Sequence, residues 1–405
     1  IIAFEPSSSN LRVLTRNISI NNLEKNIKVV PTPLTNKKNI FQEMNEGQFV
    51  EGGALNSFGE KFDFEGKEFK PTMKYSLLGT TMNYFIDNSI LDLPDYIIKI
   101  TYQIWEKKDV ESIRDYYAEG IPVRSPDGVI YGPDVVVKAT YATLNEFPDR
   151  QLLGEDVIWI GDEEHGYLSS HRILSKATHL NDGIYGKATG KTLKYRVIAY
   201  CACKNNQVYD EWLVRDQGAI VRQLNIDPKK QAANLIEFQG GKDKCSIPFN
   251  NSTSHEIKYL QIPISSNNTG TNYANILKEI FYSNFNVIDN SYDRSVNQEQ
   301  PGGFKALGVD EVKNFWISLR STFPDSVFKI EHISYLEEKN EYKKASVRWS
   351  LEGKHSGPGL FSNPSNANVH IMGISQAEFG PKGIKNEWVL FDETIIWKQI
   401  LLQTG

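Results

Sequence analysis

The chain contains one stretch twice, and this repeat limits its possible folds more than any other feature. Residues 210–224 read DEWLVRDQGAIVRQL, and residues 386–400 read NEWVLFDETIIWKQI. Three side chains recur 176 positions later (387 − 211 = 176), as Glu211/Glu387, Trp212/Trp388 and Asp216/Asp392. The same offset relates Phe-Pro-Asp at 147–149 to 323–325, and His179 to His355. Because no gap is needed between these anchors, we predict two copies of one domain.

Composition restricts the classes of partner. A length of 405 residues corresponds to roughly two to three domains of about 150 residues. The net charge of −5 at pH 7 offers no basic surface for nucleic acid or an anionic membrane, and no apolar run reaches the ~18 residues of a membrane span. Three cysteines are too few for a disulfide framework or a zinc site. Cys201 and Cys203 alternate in a strand-like run, so we predict two buried thiols, a reducing cytoplasmic setting and no metal.

Each copy shows helical periodicity first and strand patterns afterwards. In the first copy, helices are predicted over 105–119 and 132–147. Four runs rich in β-branched and aromatic residues follow, and each predicts a strand: Glu155–Gly161, Tyr167–His179, Thr192–Cys203 and Gln207–Val214. The same order restarts near residue 272. We predict an α+β domain in which helices partly cover the concave face of a curved antiparallel sheet and leave a pocket.

Several segments of the two copies resemble one known family. The first copy carries EFPDRQL, SSHRI, ATH, GIYGKATGKTLKYRV and DEWLVRDQGAIVRQL, and the second carries VRWSLEGKHSGPGLF. Together they resemble SnoaL-like polyketide cyclases, which have the cone-shaped nuclear transport factor 2-like fold. The resemblance implies ring closure by an intramolecular aldol step without metal or cofactor. It also implies an Asp near the domain end as general acid/base, and Asp216 and Asp392 match that position.

Strand alternation sorts the other candidate site residues. Trp212 and Asp216 share one face of their strand, and Glu211 shares the other face with Arg215. If the Asp216 face lines the pocket, Glu211 points outward as a salt-bridge partner. The candidate catalytic residues are then Asp216, Asp392, His179 and His355. The candidate substrate-binding residues are His171, Trp159, Tyr185, Trp212, Arg348, Trp349 and Trp388. For each candidate residue, a purely structural role is the alternative to a role at the site. The acids would form ion pairs, and the aromatic residues would pack in the core.

Two functions remain open at this point. An aldol closure moves one proton from carbon and one to oxygen, so a carboxyl whose pKa is raised by an apolar pocket is sufficient for small-molecule cyclase or isomerase chemistry. The alternative is a non-catalytic ligand-binding or assembly module, since function does not follow from fold alone. In both cases the expected partner is a small, apolar, oxygenated ligand. We also expect the two repeats to pair through their convex sheets, and a homodimer of the whole chain stays open.

The N-terminal hundred residues form a different segment. A strand, a helix and a strand within about 30 residues predict a parallel βαβ unit. The stretch AFEPSSSNLRVLTRNISINNLEKNIKVVPTPL resembles the middle of an FkbM-type methyltransferase, and TTMNYFIDNSILDLPDYIIKI resembles a further strand of that Rossmann-like fold. Glu5 matches the acidic residue that holds the cofactor's ribose. The Gly-rich loop would precede residue 1, and Thr101 replaces another acidic residue. We therefore expect a segment truncated at both ends, with S-adenosylmethionine as cofactor only if the missing part were present.

These patterns divide the chain into four parts. Residues 1–100 form the partial methyltransferase-like segment, and residues 101–232 form the first SnoaL-like domain. A polar connector is predicted at 233–270, and the second SnoaL-like domain at 271–405.

Overall fold

The computed structural model describes residues 1–37, 40–47, 56–60, 62, 67–68, 70–81, 93–162, 164–250, 268–338 and 341–405. Among these residues no helix is both long enough and apolar enough to span a membrane. The chain divides into two compact units, Ile1–Asp92 and Leu93–Gly405.

The first unit begins with a strand–helix–strand unit. Strands β1 (Ile2–Phe4) and β2 (Lys28–Val30) are parallel, and helix α1 (Ser8–Ile20) connects them, which confirms the local βαβ prediction. Strands β3 (Ile40–Glu46), β4 (Asn56–Phe58) and β5 (Met73–Gly79) form a separate antiparallel sheet. The Glu5 carboxylate accepts the backbone N–H of Ser7 at 2.9 Å. The methyltransferase resemblance and a cofactor role for Glu5 stay predictions.

One predicted strand is a helix. The segment TTMNYFIDNSILDLPDYIIKI falls partly outside the described residues, at 82–92. Its end forms the start of helix α2 (Leu93–Trp105). Leu93, Ile97, Ile100 and Ile104 are buried, and this spacing of three and four residues places them on one helix face. The expectation of a strand at 98–100 is therefore wrong, and this helix spans the predicted boundary at residue 101.

The first repeat has a six-stranded sheet. After α2 come a 3₁₀ turn (Val110–Ser112), α3 (Ile113–Tyr116), β6 (Pro122–Ser125), β7 (Gly128–Tyr131), α4 (Pro133–Glu146), β8 (Gln151–Asp162), β9 (Gly166–Thr178), β10 (Thr192–Lys204), β11 (Gln207–Arg215), α5 (Gln217–Gln223) and α6 (Pro228–Phe238). The strand order is β7-β6-β11-β10-β9-β8. The four predicted strands are confirmed as β8 to β11. The sheet is mixed rather than wholly antiparallel, because β6 pairs with β11 in parallel.

The second repeat has the same architecture. Its elements are α7 (Thr269–Phe281), α8 (Asn286–Ser291), β12 (Tyr292–Gln300), a turn (Pro301–Gly303), β13 (Phe304–Leu307), α9 (Val309–Thr322), β14 (Val327–Leu336), β15 (Lys343–Lys354), β16 (Asn368–Gly380), β17 (Gly383–Leu390) and α10 (Glu393–Thr404). The strand order β13-β12-β17-β16-β15-β14 repeats that of the first sheet. The prediction of two copies of one domain is confirmed. Strand β12 was missed because its sequence, YDRSVNQEQ, is almost entirely polar.

The predicted connector is partly an ordered helix. Helix α6 crosses the expected boundary at residue 232, and its Leu235 and Ile236 are buried. The Lys229 ammonium lies 5.1 Å from the ring centroid of Trp397 on α10. Residues 251–267 of the connector lie outside the described residues.

The two sheets pack against each other through equivalent positions. Ser346 donates to the hydroxyl oxygen of Ser170, its counterpart in the first repeat, at 2.8 Å. The guanidinium carbon of Arg172 lies 3.5 Å from the ring centroid of Trp388. In the same way, the guanidinium carbon of Arg348 lies 4.0 Å from the ring centroid of Trp212. Each contact is repeated with the roles of the repeats exchanged, so an approximate two-fold axis passes near the serine pair.

We expect Trp212 to stabilise the interface between the two sheets. It is 5% exposed and lies between Arg348 and Arg124, whose guanidinium carbon is 4.4 Å from the ring centroid. Trp212→Ala should lower the free energy of unfolding by about 3–5 kcal/mol, measured by urea denaturation. Tyr282→Ala, at a residue 77% exposed, is the control and should change it by no more than about 0.5 kcal/mol. Equal losses in the two variants would show that the tryptophan does not stabilise the interface.

Candidate functional site

The concave face of the first sheet and the helices that cover it enclose a cavity. Its volume is about 170 Å³, similar to the engineered cavity of about 150 Å³ that accepts benzene. Most of its wall is aliphatic, supplied by residues such as Ile97, Ile104, Val136, Leu152, Val197 and Leu213. A few polar side chains interrupt this wall: Tyr117, Arg150, His171, Cys201, Glu211 and Arg215. An apolar cavity with convergent polar groups is the usual form of a small-molecule site.

Strand β11 presents the opposite face to the one expected. Glu211, Leu213 and Arg215 line the cavity, whereas Trp212 and Val214 pack between the two sheets. The prediction that Glu211 points outward is wrong. Both faces of β11 are buried, one by helices and the other by the second sheet, so alternation separates two sets of residues without showing which set is concave.

Glu211 is a buried carboxyl at one end of the cavity. It is 5% exposed, and the Tyr117 hydroxyl donates to its Oε2 at 2.7 Å. Burial raises the pKa of Glu211, and the hydrogen bond from Tyr117 offsets part of that increase. A carboxyl of this kind is suited to exchange protons with a bound substrate.

His171 lies in the middle of the cavity wall, on the face of the sheet that carries Glu211 rather than beside Asp216 as the sequence analysis expected. It is 2% exposed, and its Nε2 has no hydrogen-bond partner within the described part of the chain. Burial, together with the charge of Arg172, lowers the pKa of His171 to about 4, so the imidazole is neutral near pH 7. A Cβ at position 154 would lie 3.0 Å from Nε2, so Gly154, beside a bulge in β8, leaves room for the ring.

The other end of the cavity is cationic. Arg150 is 1% exposed, its Nε donates to Ser175 Oγ at 3.1 Å, and its guanidinium carbon lies 4.3 Å from the ring centroid of Trp105. Burial lowers the pKa of Arg150 to about 10, so the group stays charged near pH 7. Arg215, the last residue of β11, lines the same cavity.

In the second repeat, aromatic side chains fill the equivalent space. Trp349 occupies the position of Ile173 and is fully buried. Gly373 replaces Val197, and a Cβ there would lie 2.2 Å from the Trp349 ring. The rings of Phe281 and Phe328 stack with centroids 4.0 Å apart, and lie 5.9 and 5.7 Å from that of Trp349. The predicted ligand-contacting Trp349 is therefore part of a packed core.

Asp216 and Asp392 are helix caps outside this cavity. Asp216 Oδ1 accepts the backbone N–H groups of Ala219 (2.9 Å) and Gly302 (2.8 Å), and its Oδ2 accepts that of Gly303 (3.1 Å). Asp392 Oδ1 accepts from the backbone of Thr394 (2.9 Å) and Ile395 (3.2 Å). Burial raises the pKa of both carboxyls, that of Asp216 to about 7. Asp216 borders a cavity of about 280 Å³ between the repeats.

His179 and His355 contact equivalent loops of the two repeats. Nδ1 of His179 lies 3.2 Å from Thr189 Oγ1, and Nδ1 of His355 lies 3.0 Å from Ser365 Oγ. Thr189 and Ser365 occupy matching positions, 176 residues apart (365 − 189 = 176). His179 Nε2 is 3.3 Å from Glu146 Oε1, but without the alignment of a hydrogen bond. Neither ring is among the residues that line the concave cavity.

The remaining predicted site residues also lie elsewhere. Trp159 packs edge-on against Tyr167, with centroids 5.7 Å apart. Tyr185 packs against Phe147 and donates its hydroxyl to Gln217. The other three belong to the interface between the sheets: Trp212, Arg348 and Trp388. Within the described ranges, no three His, Cys, Asp or Glu side chains lie close enough together to hold a metal ion.

The sequence analysis missed Tyr117, Arg150 and Arg215 and misplaced Glu211. A position-by-position comparison of the two copies contains a usable signal, because three charged or ionisable wall residues of the first copy are replaced in the second. These changes are Arg150/Ser326, His171/Val347 and Arg215/Phe391, whereas Glu211 recurs as Glu387.

The fold defines the larger unit as two α+β repeats, with a largely apolar cavity in the first repeat. The chain belongs to the SnoaL-like polyketide cyclase family, because that family's model matches residues 96–224 and again 274–400. No curated protein matches the chain.

Solved structures resemble one repeat at a time. Wild-type IdmH from Streptomyces antibioticus is 18% identical and covers 33% of this chain and 100% of its own, with a TM-score of 0.30. A SnoaL-like polyketide cyclase from Agrobacterium tumefaciens is 14% identical and covers 33% of this chain and 99% of its own, with a TM-score of 0.28. The family assignment rests on the two matched regions rather than on these structures.

The raised pKa of Asp216 predicts a pH-dependent stability. The folded carboxyl, with a pKa of about 7 against 3.8 for the ordinary group, binds its proton more tightly than the unfolded one. The contribution of this carboxyl to the free energy of unfolding is therefore fully present below about pH 4. It is lost as pH rises through about 7, by about 1.4 kcal/mol per pH unit. Between about pH 5 and pH 8, the wild type should lose more unfolding free energy than Asp216→Asn, measured by denaturant titration.

The comparison isolates one carboxyl, because the other buried acids are present in both proteins. The amide that Asp216→Asn introduces would retain the Oδ1 bonds from Ala219 and Gly302. Parallel pH dependences in the two proteins would contradict the raised pKa.

Proposed function

We propose that the first repeat is a small-molecule enzyme domain that uses Glu211 as a general acid/base, without a cofactor, for ring closure or isomerisation. The second repeat is its structural partner. The observation that supports this division is the concave space, which holds a buried carboxyl in the first repeat and is filled by Trp349 in the second.

The proposed reaction needs one proton acceptor and one oxygen-binding group. The Glu211 carboxylate removes a proton from a carbon next to a carbonyl group, and the resulting carbanion forms a carbon–carbon bond to a second carbonyl within the same molecule. The proton returns to the new alkoxide oxygen, so atoms and charge balance. Tyr117 orients the carboxylate, and the unpaired Nε2 of His171 provides a hydrogen bond to the reacting oxygen. Isomerisation needs the same proton transfer without the new bond.

This proposal replaces Asp216 and Asp392 as the acids that perform the chemistry. Backbone N–H groups already occupy the carboxylate oxygens of Asp216, and a base needs an oxygen that can reach the substrate. Glu211 borders an apolar cavity large enough for a ring. The raised pKa of Glu211 implies that turnover by the carboxylate increases as pH rises through that pKa.

Replacing Glu211 tests the role. Glu211→Gln should lower kcat by about 10²–10⁴-fold, the usual contribution of a general acid/base, because the amide cannot accept the proton. Turnover of a panel of aromatic β-polyketones by the full chain can be followed by absorbance and chromatography. Loss of turnover with retained ligand binding supports an enzyme. A binding module shows no turnover in the wild type and unchanged binding in the variant.

Glu387→Gln is the matched control. Glu387 occupies the equivalent position in the second repeat, and both of its tyrosine donors, Tyr273 and Tyr292, bind the same Oε1, which the amide retains. Turnover in this variant should stay within about twofold of the wild type. If a folded Asp216→Asn protein loses turnover while Glu211→Gln keeps it, the reaction belongs to the cavity between the repeats and the proposal fails.

Filling the cavity tests its location without removing a charge. The double variant Ile173→Trp/Val197→Gly copies the pair Trp349 and Gly373 of the second repeat. It should abolish the thermal stabilisation produced by polyketone ligands, while the protein stays folded by circular dichroism. Ligand stabilisation equal to that of the wild type would place the binding site elsewhere.

A further inference from the structure

Arg150 and Arg215 differ from Arg124 and Arg172, two buried arginines of this unit. Arg124 pairs with Asp210, and Arg172 pairs with Glu155. By contrast, neither Arg150 nor Arg215 forms an ion pair with a carboxylate in the described part of the chain. Burying the Arg150 guanidinium without a counter-charge is costly. Because the half-buried Arg215 lies beside the same cavity, the two groups together favour an anion from outside the chain.

The unpaired donors border the concave cavity. Arg150 is 1% exposed, and within the described ranges its Nη1 has no hydrogen-bond partner; the same holds for Nε of Arg215. Both side chains line the cavity. Guanidinium groups suit carboxylates, because their planar donors match the two oxygens.

The cavity has opposite chemistry at its two ends. Glu211 and Arg215 lie on the same face of β11, four residues apart, which corresponds to about 13 Å between Cα atoms at ~3.3 Å per residue. His171 lies between these ends, because its pairing partner Ala199 is opposite Leu213. A ligand that spans the cavity therefore meets guanidinium groups at one end, an aliphatic wall and His171 in the middle, and a carboxyl at the other end.

The second repeat carries other residues at the positions of both arginines, and aromatic side chains fill the equivalent space among its described residues. Ser326 and Phe391 occupy the matching positions, and Phe391 is buried in the aromatic core. The fold therefore does not require cations at these two places, and their presence accompanies the open space.

We propose that Arg150 and Arg215 bind a carboxylate of the ligand, so that the substrate class is an apolar keto acid. The carboxylate faces the arginine pair, and the carbonyl group of the ligand faces Glu211 and His171. This assignment rests on the proposed function of the first repeat and specifies the polarity and orientation of its substrate.

Two matched probes test this assignment on the full chain. Para-acetylbenzoate carries a carboxylate opposite an enolisable ketone, and para-acetylbenzamide is its neutral counterpart of similar shape. Binding is measured by isothermal titration calorimetry. The acid should bind the wild type at least tenfold more tightly than the amide, because charge-assisted hydrogen bonds are about twice as strong as neutral ones.

Removing either guanidinium should abolish this preference. Arg150→Met and Arg215→Met each retain an apolar stem, and each should weaken acid binding about tenfold or more while amide binding stays within about twofold. The amide also reports whether the cavity has formed. Arg215 is only half-buried, so its variant is the safer test if Arg150→Met does not fold. Arg114→Met, at an exposed surface arginine, is the control and should preserve the preference.

The outcomes separate this inference from the proposed function. Equal binding of acid and amide, or a preference that survives both methionine variants, overturns the carboxylate site. In that case, loss of amide binding in Ile173→Trp/Val197→Gly leaves the cavity as the ligand site. Failure of both probes to bind overturns the keto-acid assignment, while polyketone turnover lost in Glu211→Gln would still support the enzyme. Acid binding that survives the filled cavity overturns the assignment too.

Discussion

The contact between the two sheets is the constraint on which the structure of the larger unit depends. Each sheet has one face covered by the helices of its own repeat. Its opposite face would be exposed to solvent without the other repeat. The pairs Arg172–Trp388 and Arg348–Trp212 bury this second face on both sides of the serine pair. A guanidinium that stacks on an indole ring keeps its edge free for hydrogen bonds, which allows a charged residue to lie inside the interface.

This arrangement lets the two repeats diverge in the concave space. Cone-shaped domains have a space between helices and sheet that must be either packed or left open. In the second repeat, Trp349, made possible by Gly373, packs with Phe281 and Phe328. In the first repeat, the smaller Ile173 leaves a cavity that reaches Glu211 and the two arginines. The second repeat thus buries aromatic side chains where the first repeat retains a cavity.

Buried carboxyls with a raised pKa occur in both repeats, so the pKa alone does not identify the site. Burial raises the pKa of Glu211, Glu387, Asp216 and Asp392 alike. What differs is the surroundings of the oxygens. Asp216 and Asp392 cap helices, and their carboxylates accept hydrogen bonds from backbone N–H groups. The Glu387 carboxylate accepts hydrogen bonds from two tyrosines and Gln298. Asp216 and Glu211 each border a cavity, but backbone N–H groups occupy both oxygens of Asp216, whereas Glu211 accepts a hydrogen bond from Tyr117 at Oε2.

The sequence by itself determined the repeat, the family and most of the strands. The offset of 176 residues is a property of the chain, and long strands such as Tyr167–His179 have local patterns that tertiary contacts do not override. The sequence also assigned Glu211 and Asp216 to opposite faces of their strand, because successive side chains of a β-strand point to opposite sides. Which of these faces is concave was decided only by the tertiary structure, since both faces are buried, one by helices and the other by the second sheet. The polar strand β12, the helical end of the segment near Ile100, and the cationic pair of Arg150 and Arg215 likewise depend on contacts between residues far apart in the chain.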